Sequence, residues 1–374
     1  MRHLALIALL SAATAAQGAT ELTFGLAQGA SAVQTPHRTA LGVAAAFDLQ
    51  ARRQSADRVL TLGLAGELDA EGDAAGTAAL SFADHKDGRI AAFDLSHQRL
   101  DEGGFDPAAI LTSPRSTTRS RFEFGRAAGA PLDWAFSGAI FQEQSDEGEA
   151  SGHQLGAEIG LSPRPARRVA LRLGHEQRGM AAADATYEDL ALSLQAHRPR
   201  GRDEARLGAR TTPDGTRLSA GVATHREMPR GGALGAELGL AKTAEGAILP
   251  IGDIDLRLGL SRQSRLSIEA GHHVIDDPLR GEIGDLRFDL RATHRPTRLT
   301  SVEFGLGAFH RDPLDGSEAD RGVRAAAGVS RALTRDWSLV AELGHRRMDT
   351  ERASGTHRSE LSIMLERRFE TAGF

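Results

Sequence analysis

Cysteine is absent from the 374 residues. No disulfide or thiolate chemistry is available, and the fold must be held by burial or by a closed hydrogen-bond network. Asparagine is also missing, and lysine occurs only at Lys86 and Lys242, so arginine carries almost all the basic charge. A strong excess of either sign is lacking: the net charge of −5 gives nucleic-acid binding no support. Proline is sparse at 13 residues, glycine (42) is spread evenly, and no linker or low-complexity tract divides the chain. After residue 20 there is no long apolar run, which excludes membrane-spanning helices but not spanning strands, since those are apolar on one face only. Tyrosine and tryptophan are nearly absent, reduced to Tyr187, Trp134 and Trp337.

The first eighteen residues have the layout of a secretory signal. Met1-Arg2-His3 is a short basic start, Leu4 to Ala13 a largely apolar core, and Ala16 and Gly18 stand at −3 and −1 if cleavage precedes Ala19. A membrane anchor needs roughly 18 to 20 apolar residues, more than this core supplies. The expected organisation is therefore a cleaved signal peptide at 1–18 and one structural unit at 19–374.

In that unit the recurring pattern is apolar residues at every second position over runs of strand length. Leu361, Ile363, Leu365 and Phe369 oppose Glu360, Ser362 and Glu366. Leu286, Phe288, Leu290 and Ala292 oppose Arg287, Asp289, Arg291 and Thr293, and Ile254, Leu256, Leu258 and Leu260 repeat the theme. A soluble sandwich alternates too. Two features favour a membrane barrel: runs near the 9 to 11 residues a tilted strand needs to cross a bilayer, and mid-strand charge of both signs suited to a water-filled lumen.

The connections sort by charge. Asp69 to Asp73, Asp101 to Asp106, Gln144 to Glu149, Pro213 to Gly215, Asp276 to Glu282 and Asp312 to Glu318 are acidic. Between them fall Arg52-Arg53, Arg164 to Arg168, His197 to Arg202, Arg262 to Arg265, Arg295 to Arg298 and Arg331 to Arg335, all basic. In an up-and-down barrel every second connection emerges at the same end, so one rim is acidic and the other basic. A Greek-key sandwich has no reason to sort charge this way. The expected fold is all-β: a single transmembrane antiparallel up-and-down β-barrel of about twenty strands, with eighteen as the alternative count. Short turns belong at the periplasmic end, which makes the acidic rim external and both termini periplasmic.

In this pattern the chain resembles the outer-membrane barrels of diderm bacteria, porins included. Two details carry the resemblance. Glu360 to Phe369 resembles the alternating, aromatic-bearing C-terminal strand that barrel-insertion machinery recognises, with Phe369 and the final Phe374 as candidates for its terminal aromatic. The longest connection, Leu100 to Thr117, is the third outer one. In porins that loop folds into the lumen and narrows it. The resemblance implies that Asp101, Glu102 and Asp106 face wall arginines such as Arg119, Arg121, Arg287 and Arg291, creating a field that sorts solutes by charge and size. It also implies two interfacial girdles of Tyr and Trp, a part that Phe122, Phe124, Phe136 and Phe309 are expected to share here. The partners implied are outer-membrane lipid and lipopolysaccharide, the insertion machinery and small solutes; a homo-oligomer is left open.

Catalytic and metal motifs do not accumulate. His272 and His273 are adjacent, so on a strand they point to opposite faces, and Asp312 to Glu318 lacks the spacing of a calcium loop. No Gly-x-Ser-x-Gly elbow occurs, while His310 with Asp312 or His345 with Asp349 is no more suggestive than other His–Asp pairs. The reading is a non-enzymatic, cofactor-free porin-like channel for passive diffusion of small hydrophilic solutes through a charged lumen. The alternative is the barrel of a surface-protein or polymer export and assembly system.

Overall fold

The structure, a computed structural model, describes residues 19–36, 38–68, 74–86, 88–100, 115–126, 131–145, 148–164, 166–180, 183–277, 281–314, 316–350 and 353–371. Twenty strands form one sheet. The first ten are β1 (Ala19–Gln34), β2 (Thr39–Gln54), β3 (Arg58–Leu68), β4 (Ala74–Asp84), β5 (Arg89–Leu100), β6 (Arg115–Arg126), β7 (Leu132–Ser145), β8 (Gly148–Arg164), β9 (Arg167–Met180) and β10 (Ala183–Arg198). The second ten are β11 (Gly201–Thr212), β12 (Gly215–Met228), β13 (Gly232–Lys242), β14 (Ile248–Gly259), β15 (Ser264–Asp277), β16 (Gly281–His294), β17 (Thr300–Pro313), β18 (Asp320–Ala332), β19 (Trp337–Thr350) and β20 (Ala353–Thr371). Each pairs antiparallel with the next, and β20 pairs with β1 from Leu22↔Thr371 to Gln34↔Ser359. The sheet is thus a closed antiparallel barrel with no edge, which satisfies the backbone hydrogen bonds that lipid cannot.

Alternation fixes the two faces. Leu60, Leu62 and Leu64 of β3 pair with Phe82, Leu80 and Ala78 of β4 and point outward, while Thr61, Gly63 and Ala65 face the lumen. The outer wall is apolar and uncovered: Leu41 is 80% exposed, Leu238 71% and Ile140 65%. Soluble monomers do not present contiguous apolar surface on this scale; hydrocarbon is the solvent it fits. Outward aromatics gather on one side of the wall. Phe24 stacks on Phe369 at 6.0 Å, and Trp134 lies between Phe124 at 5.5 Å and Phe136 at 5.6 Å. Phe309, expected among them, is a correction. By register it sits inside with Gly307 and Arg311, its ring over Gly322, where a Cβ would collide with it.

The twenty strands match the expected count, but several run further than the alternation. β15 continues to Asp277 and β16 starts at Gly281, so Asp276 and Glu282 pair within a strand where a loop was expected. Arg52 and Arg53 likewise close β2 rather than forming a turn. The cause is physical: apolar alternation ends where the lipid ends, whereas hairpin pairing continues into water. Strand ends flanking 69–73, 101–114 and 146–147 lie at one rim, opposite to those flanking 165, 199–200 and 295–299.

Candidate functional site: the charged lumen

Lumenal side chains carry both signs on most strands. At the basic rim, Arg168 of β9 donates through Nε to Asp133 of β7 (3.0 Å) and through Nη2 to Asp133 (2.5 Å) and Glu158 of β8 (2.6 Å). Asp133 is buried, and this bidentate pair ties three neighbouring strands where lipid gives way to water.

A larger network occupies the acidic half. Tyr187 of β10, 2% exposed, lies between Arg178 of β9 and Arg210 of β11, whose guanidinium carbons are 5.3 and 4.7 Å from its ring centre. Each such cation–π contact contributes about 0.5–2 kcal/mol. Arg210 also donates to Asp189 (2.7 Å), Glu176 (3.2 Å) and Asp276 (2.7 Å). Arg217 of β12 donates to Asp276 (2.9 Å) and Glu282 (3.2 Å). Asp276 and Glu282 stand directly opposite each other on β15 and β16, a like-charge pairing that Arg217 neutralises by holding both.

These contacts determine where the β15–β16 hairpin goes. Along the wall β15 lies three strands from β12, four from β11 and six from β9, roughly 14, 19 and 29 Å at ~4.8 Å per strand. An arginine and an aspartate side chain do not together reach across the larger gaps. Yet Arg210 binds the Asp276 carboxylate, and Arg178 donates to its carbonyl at 3.5 Å. The strand ends at Asp276 and Glu282 are therefore drawn across the mouth. Ala244 of the β13–β14 connection secures them by donating its N–H to Glu282 (2.8 Å), and Ile283 beneath is 1% exposed.

A cavity of about 530 Å³ opens in the wall formed by β16 to β19, with Glu67 of β3 and residues of β20 also reaching it. Arg324, Arg346 and Arg358 line it towards the acidic rim, Glu303 and Glu342 towards the basic rim.

Among solved structures, the chain is similar to the siderophore receptor PirA from Pseudomonas aeruginosa, at 7% identity and a TM-score of 0.51 over 94% of this chain and 81% of the receptor. It is also similar to Pseudomonas aeruginosa OccK2 (OpdF), at 12% identity and a TM-score of 0.45 over 96% of this chain and all of that one. OmpTΔL8, an outer-membrane protein of Vibrio cholerae, aligns at 10% identity and a TM-score of 0.37, covering 94% and 99%. The chain has the fold of an outer-membrane β-barrel. No protein-family model and no curated protein matches its sequence.

The four arginines singled out from the sequence all face the lumen, but on opposite walls of this barrel. Arg119 and Arg121 belong to β6, Arg287 and Arg291 to β16, ten strands away in a ring of twenty. Arg287 pairs with Asp285 at 2.5 Å, and Arg291 borders the cavity. Asp101, Glu102 and Asp106 lie outside the described residues, as do Phe374 and residues 1–18. Phe369 is on the outer face near the end of β20, beneath Arg367 at 4.4 Å. His272 shares a hydrogen bond with the Pro250 carbonyl at 2.6 Å, on the face opposite to His273. The Tyr187 network and the arginine row were missed by sequence reasoning. Tyr187, the sole tyrosine and set among charged residues at 176, 178, 188 and 189, was the one available signal.

Proposed function

We propose that the barrel is an outer-membrane channel through which small hydrophilic solutes diffuse passively, with its acidic rim outside and both termini periplasmic. The observation that carries this reading is the division of the wall: apolar outside, and charged on the inside with both signs around a ring of twenty strands. A ring of this size is too wide for its side chains to fill, and buried charge at these positions is tolerable only beside water or a partner. Selection would be electrostatic, with no cofactor and no covalent step. The segment holding Asp101, Glu102 and Asp106 is proposed to narrow the pore, and Phe369 or Phe374 to end the insertion signal. Lipid, lipopolysaccharide and the insertion machinery are the proposed partners. Liposome swelling with uncharged sugars of increasing size tests the reading. Swelling should be rapid for monosaccharides and fall off with size; no swelling beyond protein-free liposomes contradicts it.

A further inference from the structure

The wall cavity carries most of its charges at two levels, with Arg291 and Glu360 at the ends of the row between them. Arg324 of β18, Arg346 of β19 and Arg358 of β20 are directly opposite one another across successive ladders. Opposed like charges disfavour strand pairing, and Glu360 lies 3.9 Å from Arg358 to offset part of the repulsion. Arg324 pairs with Asp289, yet its Nη1 is buried and makes no hydrogen bond among the described residues. Four residues closer to the basic rim, Glu303 and Glu342 flank Gly328 at a second level. At 3.3 Å per residue the levels are ~13 Å apart.

Between them the floor on β17 to β19 is small and neutral, with Gly305, Ala326 and Gly344 side by side, and the same row ends in Arg291 on β16 and Glu360 on β20. A Cβ on Gly305 would meet nothing within 4 Å. Space, a cationic row and an anionic level thus coincide in one concavity of the wall.

We propose that this cavity is a binding subsite for short zwitterionic peptides, with the carboxylate on the arginine row and the ammonium group at the Glu303–Glu342 level. An extended tripeptide measures roughly 10 Å, which suits a ~13 Å spacing once side chains lean in from both levels. Arginine holds carboxylates through paired, directional hydrogen bonds. A simple anion uses only one level and a simple cation only the other; a solute bearing both charges engages the whole cavity. The inference rests on the channel reading, since the solute enters from the lumen, but its measurement needs no current.

Isothermal titration calorimetry of the refolded barrel in detergent, with triglycine, N-acetyltriglycine and triglycine amide, tests the proposal. Triglycine should bind saturably and each blocked peptide at least about tenfold more weakly. The pair Arg346→Gln with Arg358→Gln should weaken triglycine by a similar factor and leave triglycine amide unchanged. Glu303→Gln with Glu342→Gln should spare N-acetyltriglycine instead. Equal binding of the three peptides, or no binding of any, overturns the subsite, and this comparison on the unaltered chain does not depend on any variant folding. A barrel that swells liposomes without peptide preference sinks the subsite alone. One that prefers triglycine but passes no solute keeps the subsite and sinks the channel.

Discussion

Ala78 and Ala79 are neighbours of the same type on β4, and the fold treats them oppositely. Ala78 pairs with Leu64 and His97 on the outer face, Ala79 with Gly63 and Ser96 on the inner one. Arginine in hydrocarbon near the bilayer midplane costs about 2–4 kcal/mol, whereas in a wet lumen it is tolerated. Ala78→Arg should therefore destabilise the barrel by about 2–4 kcal/mol and Ala79→Arg by under about 1 kcal/mol, as read by urea titration in lipid vesicles. Equal costs would mean that the faces are wrongly assigned. Facing of this kind was legible in the sequence, because period-two alternation is a local signal. The ion-pair partners were not. Arg210 and Asp276 are 66 residues apart, and nothing local in either segment announces the other.

At the scale of elements, the β15–β16 hairpin is the part that pattern reading placed least well. Its acidic tip reads as loop, because charge replaces alternation after Val274. The ladder nevertheless continues to Asp277↔Gly281, and the extra length brings Asp276 to Arg210 and Arg217. Both arginines and the aspartate are largely shielded from water, and removing the acid takes one of three carboxylates from Arg210 and one of two from Arg217. Asp276→Asn should loosen the hairpin at a cost of about 1.5–3 kcal/mol. Amide exchange should then rise at Val274 to Asp285 and stay unchanged at Leu60 to Leu64, since docking contacts lie only at the mouth. Unchanged protection in the hairpin would show that the network does not hold it down. Residues 101–114, the other element expected to control the mouth, lie outside the described part of the chain.

For the molecule as a whole, sorted charge did more than alternation, since it separated a barrel from a sandwich and gave the rims different characters. It does so because up-and-down topology forces alternate connections to opposite ends, a global property that survives errors at single strand boundaries. The orientation proposed from it is open to a direct check, because the chain has no cysteine of its own. Gly246→Cys at the acidic rim should react with a membrane-impermeant maleimide on intact cells, and Arg262→Cys at the basic rim should not. The reverse pattern would invert the barrel. The residues of the proposed subsite were less legible, since the arginine row depends on the exact register of β18, β19 and β20. The claim that joins all scales is an open, water-filled, charged lumen inside a closed apolar wall. Single-channel recording of the refolded protein in planar bilayers tests it most directly: the account predicts stable ohmic steps with modest ion selectivity, and bilayers that stay sealed after verified insertion would contradict it.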